Sequence, residues 1–97
     1  MSPPLLDKVL NATTDHERVT ALAQLGNYYW ASRNPDVLIG LCTFVRDKNI
    51  HPELRLGAYL MALQIAGVSA CEWPHPPYEF DEIDKLFDQG FLARWDL

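Results

Sequence analysis

The sequence predicts an all-α fold of about five helices, and three observations carry that expectation. Residues 52–67, PELRLGAYLMALQIAG, form the longest run that is both strongly helical and strongly apolar. Residues suited to begin a helix stand ahead of the apolar stretches, and an earlier stretch is an imperfect copy of the central one. At 97 residues the chain is expected to make one helical domain, residues 1–97, large enough for a true core.

On a helix over 52–67, Leu56, Leu60 and Leu63 line one stripe. Leu54, Gly57, Ala58, Met61 and Ile65 widen it until only Arg55, Gln64 and part of Tyr59 read as polar. A helix with so little polar surface belongs between neighbours. Pro52 suits the first turn, where its missing N–H costs nothing, Glu53 favours the dipole, and Gly67 supplies a left-handed cap. Gly57 and Ala58 read as a packing notch for another helix, at a cost in propensity.

Ser2 caps a short first helix that begins with Pro3 and Pro4, carries Leu5, Leu6, Val9 and Leu10 on one side, and covers an open end of the helical stack. Thr14 with Glu17 matches a capping box, so a second helix starts there and runs to about residue 32. Val19, Leu22, Ala23, Gly26 and Trp30 form its apolar face, broadened by Ala21, Leu25 and Tyr28. Trp30 is expected in the core with Tyr28 and Tyr29 half exposed; the alternative assigns one of the tyrosines to an interface. Asn34, Pro35 and Asp36 supply cap, proline and dipole-matched acid for a third helix over about 36–48. Its inward residues are Val37, Leu38, Leu41, Cys42, Phe44 and Val45, and His51 is a candidate cap for the helix that follows.

Beyond Gly67 the pattern breaks. Trp73, Pro74, His75, Pro76 and Pro77 mark residues 68–78 as an irregular connector. Residues 78–89 are expected to form a last helix with Phe80, Ile83, Leu86 and Phe87 inward and Gly90 as its cap. The acidic region 79–97 then ends in an apolar tail expected to dock on the bundle.

The formal charge of −5 is unevenly placed, since residues 1–70 carry six basic and six acidic side chains. The whole excess lies in residues 71–97, which also hold six of the eleven aromatics: Trp73, Tyr78, Phe80, Phe87, Phe91 and Trp95. Such a surface repels a phosphate backbone and attracts a basic protein, so nucleic acid is not an expected partner. No apolar run of transmembrane length and no leader are visible, which makes a cytoplasmic, non-membrane protein the expectation.

Candidates for chemistry are weak. Cys42 and Cys71 lack metal spacing, and Cys42 is expected to be a buried free thiol. His16, His51 and His75 are scattered, and no HExxH, paired CxxC or glycine-rich phosphate loop is present. Asp81, Asp84 and Asp88 share a helical spacing that fits a solvated face better than a cation site. No nucleophile sits at a recognisable elbow, so neither an enzyme nor a cofactor is expected.

A shift of 37 residues places Arg18 on Arg55, Val19 on Leu56, Ala21 on Ala58 and Leu25 on Ala62. With the acid-led or proline-led helix starts, these residues give residues 13–67 a resemblance to the HEAT-repeat family of α-solenoids. The resemblance implies a short HEAT-like stack over 14–67, or else a right-handed helical bundle. It also implies about two repeats, the second completed by the segment after Pro77.

These features together predict a non-catalytic protein-binding module. A small acidic binder of this kind resembles the bacterial immunity proteins that neutralise toxins, some of which are HEAT-like. That resemblance implies a basic protein partner, met by Glu79, Glu82, Asp84 and Asp88, with Trp73 or Tyr78 as apolar anchors. Two alternatives stand beside it. One is an adaptor or self-assembling subunit forming a homo-oligomer through the same patch. The other is a regulatory domain with a ligand cavity ringed by Tyr28, Tyr29 and Trp30.

Overall fold

The structure is a computed structural model that describes residues 4–95, so the expected Ser2 cap and the end of the tail lie outside the described residues. Four helices make up the first two-thirds: α1 (Pro4–Asn11), α2 (Asp15–Tyr28), α3 (Pro35–Arg46) and α4 (Pro52–Ile65). Two 3-10 turns follow, at Ala70–Glu72 and Phe80–Glu82, then α5 (Ile83–Leu86) and α6 (Gln89–Arg94). Among the described residues all regular structure is helical, as the sequence predicts.

The helix starts follow local chemistry. Thr14 Oγ1 accepts a hydrogen bond from the Glu17 backbone N–H at 3.1 Å, and Glu17 Oε2 reaches back to the backbone N–H of Thr13 at 3.2 Å. Asn34 Oδ1 accepts from the backbone N–H groups of Asp36 and Val37 at 3.1 and 3.3 Å. His51 Nδ1 accepts from the Glu53 N–H at 3.2 Å, so a histidine starts α4. Its far end is a Schellman turn: Gly67, at φ +80°, donates to Gln64 O, and Val68 donates to Leu63 O.

Helix α1 packs on α2 and α3 packs on α4, while α2 also lies against α4 and α1 against α3. Two helical hairpins are therefore stacked, with α1 and α3 in one layer and α2 and α4 in the other. This differs from the pairing that the resemblance implied, in which the segment after Pro77 completed the second unit. The apolar faces explain the difference, because α3 is buried through Val37, Leu38, Leu41, Cys42, Phe44 and Val45 and so has a full partner in α4. Leu25, Leu38, Leu41 and Ile65 are among the largest side chains wholly out of water, each contributing about 1.5–3 kcal/mol of transfer free energy.

Helix α2 stops at Tyr28, earlier than the expected residue 32. Ala31 and Arg33 take left-handed backbone angles, φ 53° and 57°, and turn their N–H groups onto the end of α4. Ala31 donates to Gln64 O at 3.1 Å and Arg33 to Ile65 O at 2.9 Å. The side chain of Gln64 completes the clamp by donating to Gly26 O at 2.8 Å. This early stop removes Trp30 from the helix, and Trp30 is 66% exposed where the helical pattern placed it in the core. Val19 also faces water, at 56% exposure, because α4 does not cover that side of α2.

Close approach of the helices occurs at glycines other than the expected one. A Cβ on Gly40 would lie 2.5 Å from Leu6 Cδ2, so α1 seats its leucine directly on the α3 backbone. A Cβ on Gly26 would collide with Met61 Sδ of α4. At Gly57 the nearest atom is Leu22 Cδ1 at 3.8 Å, an ordinary contact, so Gly57 is not the packing notch.

Two polar residues of α4 are buried too. Arg55 and Gln64 are out of water, and the C-terminal segment covers Arg55 and Tyr59. That segment is not the single helix expected over 78–89. Asp88 Oδ1 accepts from the N–H groups of Gly90 and Phe91 at 2.9 and 3.2 Å, which begins a new helix where the old one was to end. Gly90 accordingly sits inside α6 instead of closing a helix. Phe80, expected inward, is 36% exposed, while Ile83, Phe87, Phe91 and Leu92 are buried.

Candidate protein-binding surface

The connector after Gly67 is held by its own aromatics. Trp73 is half-buried and its Nε1–H donates to Val68 O at 3.0 Å. Tyr78 is also half-buried, with its hydroxyl donating to Pro74 O at 3.2 Å. Both rings therefore serve first to fold the segment that carries the acids, and each keeps one edge toward water.

Beyond the connector, the acids separate into two groups. Asp84 pairs with Arg55, whose side chain is only 4% exposed, and whose Nε–H also donates to Val45 O at 2.7 Å. The Arg55 guanidinium lies 5.5 Å from the centre of the Phe87 ring. Asp88 is occupied as the cap of α6, and its own N–H donates to the Tyr59 hydroxyl at 3.0 Å. Tyr59 packs its ring 4.8 Å from Phe87 and edge-on to Phe91, and burial raises the pKa of its phenol. Two of the four expected contact acids thus anchor the C-terminal segment to α4.

Glu79 and Glu82 are exposed, and so is Asp81 between them. Glu82 Oε1 accepts from Lys85 Nζ at 3.1 Å, an exposed pair of small energetic weight. Among the described residues Glu79 and Asp81 have no side-chain partner. With Phe80 they line a shallow surface depression of about 510 Å³. Phe80 stands among three carboxylates and is steadied on one side by the Tyr78 ring at 6.4 Å. The geometry is an apolar anchor inside a negative field, suited to a cationic surface with an apolar dimple.

The helical pattern turns Phe80 inward, while an anchoring role for some of the C-terminal rings stands beside it, and Asp81 is not among the expected contact acids. The one signal that could have found them is the run Tyr78 to Glu82, where a short turn after the prolines alternates aromatic and acid.

Elsewhere the chemistry is quiet. Burial raises the Cys42 thiol to about 11, against a smaller opposing pull from Arg46, so it is not a poised nucleophile. Cys71 is exposed, and both thiols are free. Among the described residues no three His, Cys, Asp or Glu side chains converge as a metal site, and no helix is long and apolar enough to cross a membrane. Tyr28 and Trp30 stand in water instead of ringing a closed cavity. Comparison with protein-family models, with curated proteins and with solved structures gives no match to this chain.

Proposed function

We propose that this chain is a non-catalytic, cytoplasmic binding module that captures a basic protein in a stoichiometric complex, as an immunity-type inhibitor does. The observation that carries the reading is Phe80, exposed and enclosed by Glu79, Asp81 and Glu82. Three carboxylates against the single amine of Lys85 leave the patch net negative. Such a field accelerates encounter with a cationic surface, and the ring supplies an apolar contact once water is expelled.

We propose in addition that the scaffold is a short HEAT-like stack of two hairpins. Helices α2 and α4 are both 14 residues long and begin 37 residues apart, the same interval that superposes Arg18 on Arg55. Each is the second helix of its hairpin, and the two lie side by side as repeated units do.

The test is affinity capture of the native protein from its own cell lysate at low and at moderate salt, with mass spectrometry of what co-elutes. A single basic partner, released by salt and not captured by the Glu79→Lys, Asp81→Lys, Glu82→Lys triple variant, is the expected result. Capture that ignores the triple reversal would refute the assignment of the patch. Exposed Tyr28 and Trp30 favour a second reading, self-association as a structural subunit, which sedimentation of the pure protein across concentrations would reveal.

A further inference from the structure

Helices α2, α3 and α4 are not capped alike. Helices α2 and α3 begin on oxygen acceptors, Thr14 Oγ1 and Asn34 Oδ1, which take up no proton near neutral pH. Helix α4 begins on a nitrogen. His51 Nδ1 accepts from the Glu53 backbone N–H at 3.2 Å, so that atom carries a lone pair and the ring proton sits on Nε2.

The chain fixes this geometry locally. Pro52 follows directly and disfavours the helical region at His51, which takes φ −56° and ψ 135°, a conformation suited to capping. Pro52 itself has no N–H to satisfy. The next amides, those of Leu54 and Arg55, donate to His51 O at 3.0 and 3.1 Å. Glu53 is therefore the one amide of the first turn that depends on the imidazole. The His51 residue is exposed, so protons reach the ring directly from solvent.

Imidazole is the side chain that gains its proton between about pH 8 and pH 5. The imidazolium has a donor at both nitrogens and no acceptor. Facing the Glu53 N–H it sets hydrogen against hydrogen and a cation at the positive end of the α4 dipole. Two carboxylates offer the charged ring another partner, because Asp15 of α2 and Glu53 of α4 line the same groove as His51. Arg18 of α2 lies 4.0 Å from Asp15 and competes for it. In the turn between α3 and α4, Asp47 Oδ1 accepts from the Asn49 N–H at 3.0 Å, with Lys48 between them in sequence. Arg46 donates to Leu92 O, and Arg55 is engaged by Val45 O and Asp84. His16, next to Asp15, lines the cleft between α1 and α2. None of these groups gives the protonated ring back the lone pair that Glu53 requires.

We propose that His51 is a proton-released cap: protonation of its ring breaks the bond to the Glu53 N–H and opens the first turn of α4, while α2 and α3 keep their caps. The turn that opens carries Leu54, which is buried, and Arg55, which anchors Asp84. The proton thus acts where the C-terminal segment is fastened to α4. The switch stands on the cap alone and holds or fails without the Phe80 patch.

The test is a pH titration of the isotope-labelled protein from about pH 8 to about pH 5.5, following the His51 ring, the Glu53 amide and the Cα shifts of residues 52–55. Two variants accompany it. His51→Asn supplies an acceptor oxygen that does not titrate, and His51→Ala supplies none. The parent's Glu53 amide and first-turn Cα shifts should move in step with the His51 ring, the open form of the turn gaining about 2- to 30-fold, the value of one side-chain cap. His51→Asn should stay flat over the range, although it keeps His16 and His75, and His51→Ala should resemble the acid form already at pH 8. Should His51→Ala not fold, the parent set against His51→Asn decides alone. A Glu53 amide that stays still while the His51 ring titrates, the same acid response in His51→Asn, or a His51→Ala spectrum matching the parent at pH 8 would each overturn the proposal.

Discussion

Asp84 offers the sharpest separation between folding and binding. Replacing it with asparagine leaves the Arg55 guanidinium buried, still donating to Val45 O and facing Phe87, but without its counter-charge. Removing one partner of a fully buried pair costs about 3–5 kcal/mol, whereas exposed pairs are worth about 0.2–1 kcal/mol. The pair here joins both regimes, since the Arg55 side chain is 4% exposed and that of Asp84 is 51% exposed. An intermediate loss of about 2 kcal/mol follows. In a domain of this size that corresponds to a fall of roughly 8–15 °C in Tm. Urea and thermal unfolding measure the loss, and a cycle with Arg55→Met assigns it. In the Arg55→Met background, Asp84→Asn should be nearly neutral. Equal Tm for Asp84→Asn and the parent, or strict additivity in the cycle, would refute the pairing as an anchor. By contrast, reversal of Glu79, Asp81 and Glu82 should leave stability within about 0.5 kcal/mol, because the acids are exposed and the Glu82–Lys85 pair is a weak surface pair.

Alkaline pH should weaken the fold through Cys42. Its folded pKa, about 11, lies above the ordinary thiol value of 9.0, so the thiol's contribution is intact below about pH 9 and is lost as pH rises toward 11. The loss approaches about 2–3 kcal/mol, Tyr59 adds to it in the same direction, and unfolding of Cys42→Ala should show a shallower alkaline slope. Ala31→Gly should raise stability by roughly 0.5–1 kcal/mol, because glycine accepts the left-handed angle at φ 53° without a Cβ penalty. An unchanged or lowered midpoint in urea would show that the turn is not strained.

Local chemistry was readable from the chain and long-range placement was not. The caps at Thr14, Asn34 and His51 depend on residues within three positions, so their geometry agrees with the expected starts of α2, α3 and α4. Trp30 failed for the opposite reason. Its spacing is that of a core residue, but α2 ends two residues earlier, because the backbone at Ala31 and Arg33 finds acceptors more than 30 residues away on α4. Arg55 likewise reads as a polar-face residue until the fold brings Asp84 to it across 29 positions. At Asp88 a signal was present and outweighed. The acid followed by Gly90 and the apolar pair Phe91 and Leu92 is a helix start, hidden inside an apolar period that continued through it. For the surface, charge asymmetry located the acidic region, while the division between anchoring acids and free ones needed coordinates.

The turn between α2 and α3 ties its backbone to carbonyls of the next hairpin, and this fixes how the molecule opens. Ala31 and Arg33 are exposed residues, yet their amide hydrogens point into bonds that exist only while both hairpins are joined. Their exchange with solvent is therefore a clock for separation of the hairpins, not for fraying of a loop. At the end of α4, Gln64 O is shared between Gly67 of its own helix end and Ala31 of the earlier turn, and Ile65 O is met by Arg33. The two halves consequently gain and lose order together, whatever side chains the turn displays to water.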